Sequence, residues 1–207
     1  MAWFPIMAKQ FRAEGITFLD GFAGPGEYTN SSESSPAIAM EQAMRRDVVE
    51  QQTSTRVLFI EEDKRRAAHL AALLDERFKP ERRPARFVAR VHQGKVADLY
   101  DQSIAAVGGW KGPVFANLDG WGVDTDYAIV QRIAKQQSSE VLVTFQDQFF
   151  TRFAEVEEQA AGDRVFGFRD WRNVAGQPTE RKKPFLLDLY RQRLLAAGFD
   201  FILTFEM

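Results

Sequence analysis

Short apolar runs alternate along the chain with longer stretches in which apolar residues recur at every third or fourth position. Apolar runs bounded by polar or glycine residues are typical of buried strands. They predict six strands, at residues 16–19, 56–60, 86–91, 113–118, 141–145 and 199–205.

Helical periodicity occupies the segments between these runs. Met40, Met44 and Val48 recur at four-residue spacing and predict one helix, with Ser35 as its N-cap and Pro36 in its first turn. The same spacing predicts helices at residues 67–78, at 96–107, at 127–133 with Asp124 or Thr125 as the cap, and at 187–194, and only a partial helix within residues 146–177.

Strands that alternate with helices predict an α/β fold with a doubly wound, mostly parallel sheet. We expect a single domain over residues 1–207, because a chain of this length buries a full core. Crossovers in such sheets are right-handed, so ligands bind at the carboxyl edge of the strands. The residues that follow each strand are therefore the candidates for chemistry.

A glycine-rich segment follows the first strand. Asp20 ends that strand, and residues 21–28 read Gly-Phe-Ala-Gly-Pro-Gly-Glu-Tyr. Glycine permits a positive φ and lets the backbone approach a ligand closely. The candidate ligand-binding residues here are Asp20, Gly21, Phe22, Ala23, Gly24, Gly26 and Tyr28. A plain glycine-rich turn beside an aspartate is the alternative, because a short glycine motif is weak by itself.

Carboxylates follow the second strand, and their distance from the glycines separates two classes of cofactor. Glu61 or Glu62 is placed to accept both hydroxyls of a ribose, which suits NAD and S-adenosylmethionine equally. In a dinucleotide fingerprint this carboxylate comes about 20 residues after the glycines. Here Glu61 follows Gly26 by 35 positions, and the acidic Asp20 and Glu27 would repel a pyrophosphate. A methyl donor that carries an ammonium and a sulfonium therefore fits better.

Three segments of the chain together resemble the three-Cys-motif partner family. They are residues 20–28, residues 35–40 (Ser-Pro-Ala-Ile-Ala-Met) and residues 59–63 (Phe-Ile-Glu-Glu-Asp), and the likeness extends through residues 115–122, 140–145 and 189–205. The resemblance implies the Rossmann-like fold of class I S-adenosylmethionine-dependent methyltransferases. It also implies a separate partner protein with a cysteine motif, encoded in many cases near mobile elements.

The same resemblance implies roles for individual residues. Residues 20–26 would hold the methionine portion of the cofactor, Glu61 the ribose, and Gln93 and Gly94 the adenine. Two positions depart from the family's pattern. An Asp-Pro-Phe-Gly type segment is replaced by Asp-Gly-Trp-Gly at residues 119–122, and an aspartate common after the third strand is replaced by Lys95.

The end of the fourth strand supplies the candidate catalytic residues, Asn117, Asp119 and Trp121. Methyl transfer is an in-line displacement that depends on alignment. An exocyclic base amine also needs acceptors for its hydrogens, which carboxamide or carboxylate oxygens supply, while an aromatic face clamps a flipped base. As the alternative, Asp119 contacts the cofactor or caps the next turn, and Trp121 covers the edge of the pocket.

Composition excludes several kinds of chemistry. The chain contains no cysteine, which rules out disulfides, thiolate nucleophiles and cysteine-bound metals within it and fits a cytoplasmic protein. No apolar run is long enough to span a membrane. Two histidines without a carboxylate cluster do not indicate a metal site.

Two local basic patches are candidate nucleic-acid contacts, because a net charge of −2 provides no global attraction. The first contains Arg77, Lys79, Arg82, Arg83, Arg86, Arg90 and Lys95. The second contains Arg164, Arg169, Arg172, Arg181, Lys182 and Lys183 near Phe166, Phe168 and Trp171. Mixed basic and aromatic residues bind single strands by stacking. A solvated surface or contact with a partner protein is the alternative.

The sequence thus predicts an S-adenosylmethionine-dependent methyltransferase that acts on a nucleic-acid base or else on a protein. The alternative is a catalytically degenerate, methyltransferase-like binding subunit that acts with a partner protein. A nicotinamide-dependent oxidoreductase is disfavoured by the glycine spacing. The chain stops directly after the sixth predicted strand, so we expect a fold that is shortened at its C-terminus and has an exposed sheet edge.

Overall fold

A computed structural model describes residues 2–27, 34–120, 123–156 and 160–205. The helices are α1 (Trp3–Gln10), α2 (Ser35–Ala43), α3 (Arg46–Val49), α4 (Lys64–Arg77), α5 (Val96–Ala106), α6 (Tyr127–Ala134), α7 (Asp147–Phe153), α8 (Ala160–Phe166) and α9 (Thr179–Ala197). The strands are β1 (Ile16–Asp20), β2 (Thr55–Glu61), β3 (Phe87–Gln93), β4 (Val114–Leu118) and β5 (Glu140–Val143). Short 3₁₀ helices span Pro80–Arg82, Gly109–Lys111 and Asp170–Gly176.

The chain divides into two compact units. The first comprises Met1–Asp119 and Gln136–Leu142, and the second comprises Gly120–Lys135 and Val143–Met207. The single domain expected from the length of the chain stays a prediction.

The five strands form one parallel sheet in the order β3-β2-β1-β4-β5. In the register of the sheet, Asp20 lies beside Phe59 and Asn117, and Glu61 lies beside Gln93. The carboxyl ends of the strands therefore meet at one edge. The predicted α/β class is confirmed as a Rossmann-like parallel α/β fold.

The two central strands are buried along their whole length. Every residue of β1 and of β2 is buried, which is why both segments appear in the sequence as continuous apolar runs. The strands extend beyond their predicted ends to include Asp20 and Glu61. Both carboxylates are consequently fixed by the sheet.

One face of the sheet packs on α1, α2 and α4. Alternate strand residues form one apolar cluster with these helices, because residues i and i+2 of a strand share a face. Its strand members are Ile16, Phe18, Val57, Phe59 and Phe115, and its helix members include Phe4, Met40 and Leu70.

The opposite face of the sheet meets the end of α5. Thr17 donates its Oγ1 hydrogen to the carbonyl oxygen of Gly109 at 3.5 Å. The buried Arg56 donates from Nε to the carbonyl oxygen of Val107 at 2.7 Å, and burial lowers the pKa of its guanidinium. Helical segments therefore lie on both faces.

Aromatic side chains make up the core of the second unit. Phe150, Phe166 and Trp171 are fully buried in a cluster with Tyr190 and Leu186. Burial raises the pKa of the Tyr190 hydroxyl. No helix among the described residues combines the length and the apolar character needed to cross a membrane.

The prediction of one continuous helix over Met40, Met44 and Val48 is wrong. It divides into α2 and α3, because Arg45 takes an extended conformation with φ −59° and ψ 147°. The four-residue spacing survives the break, since Val48 is still buried in the cluster with Met40.

Two predicted helix caps are also wrong. Ser34, not Ser35, caps α2, and its Oγ accepts from the amide of Ala37 at 3.4 Å. Ser35 instead donates its hydroxyl hydrogen to Oδ2 of Asp20. The N-cap position of α6 is Asp126, not Asp124 or Thr125, and it has no side-chain cap hydrogen bond.

The C-terminal part of the chain differs from the sequence prediction. Residues 146–177 contain α7, α8 and a 3₁₀ helix rather than one partial helix. The predicted sixth strand is wrong, because residues 199–205 are not in a strand. Phe201, Leu203 and Phe205 are 90%, 80% and 73% exposed. Alternating apolar residues form a strand only where a neighbouring strand pairs with them, and within the described residues none does so.

Candidate functional site

A sharp turn at the carboxyl end of β1 forms the centre of the candidate site, and we call residues 21–26 the glycine turn. Gly24 has a φ of 67° and Gly26 a φ of 88°, a region that L-residues other than glycine occupy at a cost of about 1–2 kcal/mol. A Cβ on Gly26 would lie 2.6 Å from Cδ1 of Leu70 in α4. Glycine is therefore required both by the backbone and by packing.

Backbone hydrogen bonds fix the glycine turn to neighbouring strands. The amide of Gly21 donates to the carbonyl oxygen of Asn117 at 2.9 Å, and the amide of Ala23 donates to that of Ile60 at 3.0 Å. The turn is thereby attached to the ends of β4 and β2. Of the candidate residues in this segment, Tyr28 lies outside the described residues.

Asp20 is fully buried beneath the glycine turn. Its Oδ1 accepts from the amide of Phe22 at 3.2 Å, and its Oδ2 accepts from Oγ of Ser35 at 2.7 Å. Burial raises the pKa of this carboxyl, opposed by hydrogen bonds from Ser35, from Phe22 and from the side chain of Asn117. The negative charge of Asp119 raises it further.

Glu61 anchors the glycine turn from the end of β2. Its carboxylate is 5% exposed, and Oε2 accepts from the amide of Gly24 at 2.9 Å. Oε1 accepts from the amide of Asp63 at 2.8 Å and pairs with Nη2 of Arg66 at 2.9 Å. All three partners are donors. The carboxylate that the sequence offers to a ribose is therefore bound within the protein.

Glu62 presents the exposed carboxylate at the end of β2. Its side chain is 65% exposed, and its Oε1 lies 3.7 Å from Nζ of Lys95. The amide side chain of Gln93 donates to the carbonyl oxygen of Glu62 at 2.9 Å, and the amide of Gly94 donates to that of Glu61 at 3.0 Å. The predicted residues after β2 and β3 are thus brought together at one edge.

The end of β4 completes this edge. Asn117 is half-buried and bonded to Asp20 through its side chain, whereas Asp119 is exposed. Trp121, the predicted aromatic partner, lies outside the described residues. Among these residues, the carboxylates of Asp20 and Asp119 are close enough for the charge of one to affect the other.

Three contacts of the site escape sequence reasoning. They are Ser35 to Asp20, Arg66 to Glu61, and His69 to Glu27 at 2.9 Å. Ser35 beside Pro36 is read as a cap from sequence, which hides its contact with Asp20. The spacing of five from Glu61 to Arg66 is the one available signal, because it places the first turn of α4 over the end of β2.

The exposed carboxylates of the site are those of Glu62 and Asp119, after β2 and β4, on either side of the turn that follows β1. Such carboxylates favour an ammonium or sulfonium group over a phosphate. Within the described part of the chain, no group of three or more His, Asp or Glu side chains is arranged to hold a metal ion.

Ion pairs within the protein neutralise part of both basic patches. In the first, Arg77 pairs with Glu41 and Arg83 with Asp75, which neutralises part of the patch. In the second, Asp163 pairs with Arg169 and Arg172, and Arg164 pairs with Asp126. Phe166 and Trp171 are fully buried, so the prediction that they stack on bases is wrong.

Comparisons of the chain with protein-family models, with curated proteins and with solved structures found no match. They support no named family. The parallel α/β fold stands, and the resemblance to the three-Cys-motif partner family stays a prediction.

We expect an Asp20→Asn substitution to change the pH dependence of stability in one direction. Burial raises the pKa of Asp20, so the folded state holds this proton more tightly than the unfolded chain. The contribution of Asp20 to stability is therefore complete below its unfolded pKa and is lost as the pH rises through its folded pKa. Urea denaturation from about pH 4 to about pH 8 should show wild type losing stability relative to the variant. A constant difference over that range would contradict the raised pKa.

Proposed function

We propose that the chain binds S-adenosylmethionine at the glycine turn and transfers its methyl group to an acceptor. One observation carries this proposal: the exposed carboxylates of Glu62 and Asp119 lie after β2 and β4, on either side of a turn in which Gly24 and Gly26 have positive φ. A cofactor with an ammonium and a sulfonium gains from this field, whereas a dinucleotide pyrophosphate is repelled.

The finer description of the fold belongs to the same proposal. A strand order of 3-2-1-4-5 agrees with the first five strands of a doubly wound class I methyltransferase sheet. The resemblance of residues 20–28 and 59–63 to the three-Cys-motif partner family supports the same cofactor. A partner protein with a cysteine motif and a nucleic-acid acceptor are expected on that basis.

The residues of the site have distinct roles under this proposal. When bound, the cofactor supplies an activated methyl group. Glu62 holds the ribose hydroxyls, since the carboxylate of Glu61 is already occupied by the turn. Gln93 and Gly94 lie where the adenine is expected. Asp119, exposed at the end of β4, accepts a hydrogen from the methyl acceptor.

A second candidate function is a methyltransferase-like subunit that binds without catalysis. Both oxygens of Asp20 and of Glu61 accept hydrogen bonds from the protein itself. These carboxylates therefore have fewer lone pairs for a ligand, which favours a structural use of the site.

Transfer of labelled methyl groups separates the two candidates. We expect wild type to label DNA, RNA or protein from methyl-labelled S-adenosylmethionine. We expect Asp119→Ala to lower the rate at least tenfold, because the side-chain hydrogen acceptor is removed. Asp98→Ala, a change at an exposed residue in the first turn of α5, serves as the control. Cofactor binding without labelling of any acceptor would favour the binding subunit, and equal rates in both variants would exclude the role of Asp119.

A further inference from the structure

A cavity of about 360 Å³ opens at the amino-terminal end of the sheet, where β2 and β3 begin. The glycine turn lies at the carboxyl ends of the same strands, so the cavity is a separate site. Its apolar wall is formed by Ala43, Val49, Pro84, Ala85 and Phe87. Small-molecule sites commonly enclose about 300–1,000 Å³ between mostly apolar walls, and this cavity falls within that range.

Three of the polar side chains that line the cavity donate hydrogen bonds to backbone carbonyl groups. Thr53 donates its hydroxyl hydrogen to the carbonyl oxygen of Ala8 at 2.6 Å, and Thr55 donates to that of Thr53 at 3.4 Å. Arg86 donates from Nη1 to the carbonyl oxygen of Gln52 at 2.9 Å. A guanidinium carries five N–H donors, so this bond leaves most of its capacity available.

The charge of Arg86 is not neutralised nearby. In the described ranges of the chain, no carboxylate lies within ion-pair distance of Arg86, nor of the exposed Lys79 and Arg82 in the segment that leads to the cavity. Arg86 therefore brings a positive charge to the cavity wall. Gln52, which fixes Arg86 through its carbonyl group, has a φ of 56°, so the wall holds a residue in a rarely occupied conformation.

We propose that this cavity binds a small molecule with a flat apolar body and one anionic group, such as an aromatic carboxylate. The body occupies the apolar wall, and Arg86 pairs with the anion, since its planar fork matches a carboxylate. This site is independent of the cofactor proposed at the glycine turn.

Calorimetric titration of the full chain with 1-naphthoate and with its neutral counterpart 1-naphthalenemethanol tests the proposal. We expect naphthoate to bind at least tenfold more tightly, and Arg86→Gln to abolish that preference. Ala85→Trp, at an exposed position of the wall, should weaken both ligands at least tenfold. Arg90→Gln is the matched control, because Arg90 is an exposed arginine of β3, which begins directly after Arg86, and does not line the cavity.

Each other outcome contradicts the proposal. The site would be excluded if the two ligands bound equally, or if naphthoate did not bind at millimolar concentration. It would also be excluded if Arg86→Gln and Arg90→Gln lowered the affinity for naphthoate equally. When naphthoate is added to the wild type, the amide NMR shifts of Thr55 and Phe87 should change and that of Gly24 should not. This measurement needs no variant, so it tests the proposal even if a variant fails to fold.

Discussion

Glu61→Gln is expected to lower the free energy of unfolding by about 2–3 kcal/mol. The substitution preserves shape, yet each partner of the Glu61 carboxylate is a donor: the amides of Gly24 and Asp63 and the guanidinium of Arg66. A glutamine amide turns an NH₂ group toward one of them. A buried donor is then left unsatisfied at a site that is 5% exposed. Urea denaturation measures the change.

Glu62→Gln provides the matched control for stability. This neighbouring carboxylate is 65% exposed and lies 3.7 Å from Lys95, so its loss should change the free energy of unfolding by less than about 0.5 kcal/mol. Under the proposed function, Glu61→Gln should also weaken the binding of S-adenosylhomocysteine at least tenfold, because the glycine turn loses the hydrogen bond from Gly24 that anchors it. Equal stability of the two variants would contradict the anchoring role of Glu61.

Trp171→Ala is expected to destabilise the second unit by about 3–5 kcal/mol. Trp171 is fully buried, and Phe150 packs edge-on against it at 5.6 Å between ring centroids. Its Nε1 donates to Oδ1 of Asp163 at 2.8 Å, and the backbone of Gly162 lies against its ring so closely that a Cβ there would overlap it. Truncation leaves a large cavity and removes one donor from the Asp163 carboxylate, which still pairs with Arg169 and Arg172.

Phe201→Ala is the control for this change, because an aromatic ring that is 90% exposed contributes little to folding. The two variants are compared by thermal unfolding followed by circular dichroism. If Phe201→Ala lowered the melting temperature as much as Trp171→Ala, residues 199–205 would be packed in solution, contrary to the structure.

The fold was largely predictable because its central strands are buried on both sides. Such strands appear in a sequence as unbroken apolar runs, and β1 and β2 were located within one or two residues. Residues 199–205 have an equally apolar pattern but no strand beside them. Local pattern cannot reveal whether a partner exists, so this prediction failed.

The candidate site was predictable only as far as topology determines it. Parallel strands bring their carboxyl ends together, which is why Asp20, Glu61 and Asn117 were identified from sequence. The direction in which a carboxylate bonds depends on tertiary contacts. The sequence therefore assigned Glu61 to a ribose, whereas in the structure it accepts from Gly24 and Arg66.

Calorimetric titration with S-adenosylhomocysteine and with NAD tests most directly whether the acidic glycine turn is a methyl-donor site. Gly24→Ala should weaken binding, since its φ of 67° strains an alanine, whereas Gly176→Ala should not, since a Cβ there meets no atom within 4 Å. The account predicts that wild type binds S-adenosylhomocysteine with a Kd of about 10 μM or tighter and does not bind NAD. Binding of NAD alone, or of neither ligand, would contradict it.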